Sequence, residues 1–173
     1  MDHETLLTVL HPHFGISGVA LNWCRDYLSD RTQTFQAGPQ LSGPHNVQCS
    51  VPQGSVLGPK KFTAYTEDLA NIISQRQLSH HLYADDTQLL KCICLTDIPV
   101  VTDRLQRCIQ EIHGWCASRR LQLNLAKTEL IWFVSRTNIR KCRLVDLSLH
   151  VGAETIKPVS AVRDLGVILD DEQ

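Results

Sequence analysis

Apolar residues recur along this chain at two spacings. Leu6, Leu7 and Leu10 form a helical stripe over residues 1 to about 12, which His11-Pro12-His13 is expected to end, because proline biases the residue before it away from helix. Gly15-Ile16-Ser17-Gly18 reads as a turn. A second helix starts at Ser17 or Gly18 and runs through Leu28, with Leu21, Cys24 and Leu28 on one face and Trp23 and Tyr27 beside it. A third follows Pro59, whose ring suits a first helical turn, and carries Phe62, Tyr65, Leu69, Ile72 and Ile73. The longest stripe is Val101, Leu105, Cys108, Ile109, Ile112 and Cys116, an amphipathic helix from about Asp97 to Ser118. Arg119-Arg120 lies at its end, where cations suit the helix dipole.

The second spacing is alternation, the mark of strands. It predicts strands at residues 31–37, Leu121–Asn124 and Leu144–Val151; Val47–Val51 reads as a further short strand, the continuous apolar run Leu130–Val134 as a buried one and Leu165–Leu169 as the last, with Gly38 to Asn46 a loop. Around Tyr83-Ala84-Asp85-Asp86-Thr87 the pattern is strand, tight turn, strand, with Asp85 and Asp86 at the tip. Strands interleaved with helices, most joined by tight turns, predict an α+β domain with a mainly antiparallel sheet. A length of 173 residues suits one domain or a piece of a larger one.

Candidate chemistry centres on the paired carboxylates. Asp85 and Asp86 at a turn tip can converge on one hard cation, and magnesium is usually held by one or two carboxylates plus substrate phosphates. Alone, an Asp-Asp pair is more often a solvated turn. Pro52-Gln53-Gly54-Ser55-Val56-Leu57-Gly58-Pro59 is too rich in glycine and proline for regular structure, and it feeds a helix N-terminus, where backbone can approach a ligand closely. Many linkers look alike. Gln53 offers a donor and an acceptor there, or simply faces solvent.

Seven cysteines at irregular spacings suggest free, mostly buried thiols in a reducing compartment. Cys92-x-Cys94 beside His80 and His81 could hold a metal, or the two cysteines simply share one face of a strand. A net charge of −1 means that any grip on a polyanion is either local, through Arg119, Arg120, Lys127, Arg136, Arg140, Lys141 and Arg143, or supplied by parts outside residues 1–173. No apolar run approaches membrane-spanning length, and the acidic start Met1-Asp2-His3-Glu4 lacks a secretory signal's features, so an intracellular, non-secreted protein is expected.

Several motifs stand in one order: Val51-Pro52-Gln53-Gly54-Ser55-Val56-Leu57-Gly58-Pro59, Tyr83-Ala84-Asp85-Asp86-Thr87, Leu121-Gln122-Leu123-Asn124 with Lys127-Thr128-Glu129, and Leu165-Gly166-Val167. With Phe14-Gly15-Ile16-Ser17-Gly18, Trp23, Tyr27-Leu28-Ser29 and Arg31-Thr32-Gln33 upstream, the set resembles the reverse transcriptase domain of non-long-terminal-repeat (LINE-type) retrotransposons over nearly the whole chain. The resemblance implies a right-hand polymerase palm and a Mg²⁺-dependent RNA-directed DNA polymerase (Mn²⁺ serving as well), with RNA template, DNA primer and dNTPs as partners. By the same resemblance Asp85 would be a direct metal ligand and Asp86 a second one. Tyr83 would lie beside the primer terminus, and Pro52, Gln53 and Gly54 against the incoming nucleotide and template. Lys127 would be either a general acid to the leaving pyrophosphate or a surface lysine ending a turn. Leu165 and Gly166 would sit near the primer-grip hairpin.

The departures are equally informative. Asp2-His3 looks like a pair that follows the family's first catalytic aspartate, so the strand bearing that aspartate, the fingers and the thumb are expected to fall outside residues 1–173, and the chain alone to be inactive. Lys60 and Lys61 stand where the family has buried leucines. Burying an unpaired ammonium is costly, so this turn is expected to be exposed or badly packed. Ser50 replaces a glycine and is strained if its φ is positive. These changes fit a decayed copy, and they leave a non-catalytic nucleic-acid- or partner-binding remnant as the alternative.

Overall fold

The computed structural model describes residues 1–52, 54–135, 138 and 145–170. It divides into two compact units. The first comprises Met1–Leu69, Leu82–Asp86 and Ala117–Leu121; the second comprises Ala70–His81, Thr87–Cys116 and Gln122 onward.

In the first unit α1 (His3–Phe14) begins at Asp2, whose carboxylate accepts the Thr5 N–H at 2.9 Å and the Thr5 hydroxyl at 2.8 Å. The helix runs past Pro12 instead of stopping there. Proline's fixed φ is itself helical, and so close to the end it removes a single backbone bond. Gly15 makes the actual stop, at φ 66°, where the Ile16 N–H folds back to the Leu10 carbonyl at 3.2 Å. The second helix, α2 (Gly18–Leu28), matches its sequence pattern and buries Cys24 and Leu28. These side chains join Leu6, Leu7, Leu10, Ala64 and Tyr65 in one core, with Val51 and Leu121 packed at its edge.

Residues 32–46 are a nested hairpin rather than a strand and a loop. β1 (Thr32–Gln33) pairs with β4 (His45–Asn46), and β2 (Gln36–Ala37) pairs with β3 (Gln40–Leu41) inside them. All eight of these strand residues are exposed, so the segment has no buried face to give it an apolar alternation. The strand expected at Val47–Val51 reduces to one bridge, Cys49 with Asp2.

The helix expected after Pro59 is two helices. α3 (Gly58–Tyr65) ends at Thr66, whose φ of −107° and ψ of 9° are not helical and whose hydroxyl bonds the Phe62 carbonyl at 3.1 Å. A side chain competing for a backbone acceptor in this way helps to end the run. α4 (Leu69–Gln75) starts three residues later.

The connection from α4 continues as a hairpin, β5 (Ser79–Tyr83) with β6 (Asp86–Leu90). The long helix of the second unit is α5 (Ile98–Ser118), and its buried Ile98, Val101, Cys108, Ile109, Ile112 and Cys116 follow the expected stripe. Ile109 packs with Leu149 and Val151 of β7 (Leu149–Val151) and Ile156 of β8 (Glu154–Ile156). A last antiparallel pair is β9 (Ala161–Asp164) with β10 (Val167–Asp170).

Among the described residues the strands form five separate two-stranded pairs, not the single sheet expected. Leu121 to Asn124 keep alternating burial but have no ladder, and of Leu130–Val134 only Leu130 makes a bridge, to Pro158. The strand expected from Leu144 is observed only at Leu149–Val151, and Leu144 itself lies outside the described residues. Of the six described cysteines, Cys24, Cys108 and Cys116 are buried while Cys49, Cys92 and Cys94 are exposed, so half of the described thiols are buried. Burial pushes the Cys108 thiol up to about 11.

Candidate active site

The paired carboxylates sit where two strands reverse. Ala84 and Asp85 form the two-residue connection between β5 and β6, and Asp86 is the first residue of β6. The tip is thus one residue earlier than the Asp-Asp pair. Ala84 has φ 52° and Asp85 is not in the positive region. Positive φ at the first turn residue only is the sense of a type II′ hairpin, whose twist suits the flanking strands but whose first position favours glycine. Ala84 therefore carries local strain beside the carboxylates.

Tyr83, Asp85 and Asp86 are all exposed. Among the described residues neither carboxylate has a hydrogen-bond or ion-pair partner, and no group of three or more His, Cys, Asp or Glu side chains is arranged to hold a metal. The base of the hairpin, by contrast, is tied down in the second unit. The Gln88 side-chain amide donates to the Asp164 carboxylate, and the Lys91 ammonium donates to the Gln77 carbonyl at 2.9 Å.

The glycine-rich loop belongs to the first unit, as does the hairpin tip. Gln53 lies outside the described residues; Pro52 and Gly54 are exposed, and Gly54 has φ 77°. Two successive turns follow, Ser55 N–H to Pro52 carbonyl and Gly58 N–H to Ser55 carbonyl, both at 3.2 Å. They deliver the chain to the start of α3, and a Cβ on Gly58 would stand 3.0 Å from the Ser55 hydroxyl oxygen. Just upstream, Ser50 takes φ 75°, the strained conformation expected if the position needs glycine. It is pinned there by its N–H on the Met1 carbonyl and by the His3 ring on its own carbonyl, each at 2.6 Å.

Lys127 and the Leu165-Gly166 pair belong to the second unit. Lys127 ends a short 3₁₀ turn, Leu125–Lys127, and is exposed. Leu165 and Gly166 are not strand residues. With φ 45° and 91° they are the turn between β9 and β10, in the sense of a type I′ hairpin.

The basic residues after α5 are committed inside the first unit. Arg119 pairs with Asp68, and Arg120 pairs with Asp2 at 3.0 Å. Neither pairing shows in the sequence pattern, because the acidic partners are 51 residues and more away in the chain. Arg136, Arg140, Lys141 and Arg143 lie outside the described residues. Asp2 is equally committed. The Thr5 N–H, then the Thr5 hydroxyl, and more weakly Arg120 hold its carboxyl below its ordinary value against the opposing effect of burial.

Residues 1–169 match the model of the family described as reverse transcriptase (RNA-dependent DNA polymerase), and the chain belongs to that family. Its relatives include a probable RNA-directed DNA polymerase from transposon BS of Drosophila melanogaster, 29% identical over 92% of this chain and 15% of the relative. Another is the RNA-directed DNA polymerase from mobile element jockey of Drosophila funebris, 28% identical over 72% of this chain and 13% of the relative. The chain thus spans about one seventh of the length of these relatives. These relatives bear out the resemblance to polymerases of non-long-terminal-repeat elements. No solved structure matches. Reverse transcriptases bind a nucleic-acid template and work with divalent metal ions. No helix of the described residues is long and apolar enough to cross a membrane.

Proposed function

We propose that this chain carries part of the palm of an RNA-directed DNA polymerase and that the β5–β6 turn is its metal-binding element. The observation that carries the reading is the pair of exposed carboxylates, without a partner among the described residues, in and directly after the β5–β6 turn, in a chain of this family. The donor set fits magnesium: hard oxygen ligands from one or two carboxylates, with the remaining positions left to water and substrate phosphate. Manganese accepts the same donors. Asp85 and Asp86 would hold the ion, and when bound it would neutralise charge on the transferring phosphoryl group.

The chain's own groups have distinct tasks in this reading. Tyr83 presents a ring beside the primer end. By the family resemblance Pro52, Gln53 and Gly54 would form the loop against the incoming nucleotide and template. By the same resemblance Lys127 would supply a cation, or a proton, to the leaving pyrophosphate, and Leu165 and Gly166 would belong to the primer grip. The partners are RNA template, DNA primer and dNTPs. A binding remnant without catalysis is the second reading, favoured because no third metal-ligating side chain joins Asp85 and Asp86 among the described residues.

Primer extension on an RNA template with Mg²⁺ or Mn²⁺ tests both. Incorporation by the wild-type chain that disappears in Asp85→Asn supports the polymerase. Template binding that weakens steeply with salt, with no incorporation from a folded sample, supports the second reading.

A further inference from the structure

Cys92 and Cys94 are used by neither the fold nor the proposed reaction. Both are free and exposed, directly beyond β6. The residues between and after them, Ile93 and Leu95, are half-buried. Cys94 has φ −84° and ψ 157°, extended backbone. Burial therefore alternates along residues 92–95, and the period of two in an extended chain places both thiols on the same, outer side. A four-ligand site completed by His80 and His81 is not present among the described residues. Cys92 and Cys94 by themselves still offer two exposed sulfurs two residues apart.

Backbone spacing decides what such a site takes. Two residues along an extended chain separate the Cα atoms by about 6.6 Å. That is near the upper limit for a direct S–S bond, about 6.8 Å, so a disulfide between these neighbours would be strained. An atom inserted between the sulfurs, with two bonds of roughly 2.3 Å, removes the strain. Thiolates are soft ligands and prefer soft ions such as Cu(I) to the hard cations suited to Asp85 and Asp86. We propose that Cys92 and Cys94 form a two-thiolate site for a soft, thiophilic ion.

Phenylarsine oxide is the probe. Two As–S bonds form, the As–O unit is lost, and its oxygen leaves as one water with the two thiol protons; no oxidant or reductant takes part. The whole chain is treated with one equivalent in excess 2-mercaptoethanol, and adduct retention is read by intact mass and peptide mapping. Retention of one arsenical on the peptide bearing both cysteines is expected, with release by 1,2-ethanedithiol. Cys92→Ser and Cys94→Ser should each lower retention at least ten-fold, while Cys49→Ser retains it. Cu(I) supplied by a calibrated chelator competitor should show the same dependence on Cys92 and Cys94. No retention by the wild type against the monothiol, or equal retention by Cys92→Ser and Cys94→Ser, would overturn the proposal. So would a Cys92–Cys94 disulfide forming in air as the dominant species. Exposed Cys→Ser changes leave the buried cores untouched, and an unchanged far-ultraviolet circular dichroism spectrum checks that each variant is folded.

Discussion

Lys61 is 5% exposed, and its ammonium has no hydrogen-bond partner among the described residues. It lies 3.7 Å from the centroid of the Tyr27 ring and 5.7 Å from that of Trp23, and the two rings are themselves stacked at 5.5 Å. Lys60 next to it is exposed. Two lysines in a helix that should bury leucines thus met different ends, one in solvent and one under aromatic faces. The ring quadrupoles offset part of the desolvation cost of Lys61 but do not supply the bonds an ammonium makes in water. Burial accordingly lowers the Lys61 pKa. A lysine lowered on folding binds fewer protons folded than unfolded, so stability rises with pH through the window just below the ordinary lysine value. Lys61→Leu should raise the unfolding free energy by about 1–3 kcal/mol, as replacing buried charge with apolar volume often does, and should flatten that alkaline rise. Lys60→Leu should change it by less than about 0.5 kcal/mol. Urea melts at pH 7 and pH 10 measure both. The sequence allowed the conflict at these positions to be read, but not the cation–π contact, because Tyr27 and Lys61 meet only through the packing of α2 and α3.

The amphipathic helices were the most legible elements. The ends of α2 and α5 fall within about one residue of the positions the stripes predict. The β5–β6 reversal was also plain, since a tight turn interrupts two apolar runs. The nested hairpin at 32–46 left no signal, because its two-residue strands are exposed on both sides. The α3–α4 break was hidden for the opposite reason: Tyr65, Leu69 and Ile73 keep helical spacing across it and are all buried. The turn that carries Asp85, between Tyr83 and Asp86, was legible, whereas the pairing of Asp2 with Arg120 was not. That pair belongs to the start of α1 and has its own consequence. A carboxylate lowered on folding contributes stability that is present above its unfolded pKa and is lost as pH falls through the folded value. Asp2→Asn keeps a capping oxygen for Thr5 and removes the charge. It should therefore lower stability modestly at pH 7 and shrink the loss as pH falls below the ordinary aspartate value of about 3.9. An acid titration of the melting temperature, compared with wild type, checks this.

At the scale of the whole molecule, the first unit is not one continuous stretch of chain. The Tyr65 hydroxyl accepts the Asp2 N–H at 3.1 Å and donates to the Arg119 carbonyl, so one buried oxygen joins positions 63 and 54 residues away from it. Asp68 meets Arg119, and Leu121 covers the edge of the core. Residues 117–121 therefore close a structure whose other parts are made much earlier in synthesis. A ribosome that has produced α1, α2 and α3 has produced a core still open on one side, with a buried phenol lacking its acceptor and a carboxylate lacking its guanidinium. The peptide Met1–Leu69 on its own should melt without a sharp transition, and adding residues 70–121 should restore cooperativity in a thermal scan. During translation, this half of the protein waits on a short segment that emerges nearly fifty residues later.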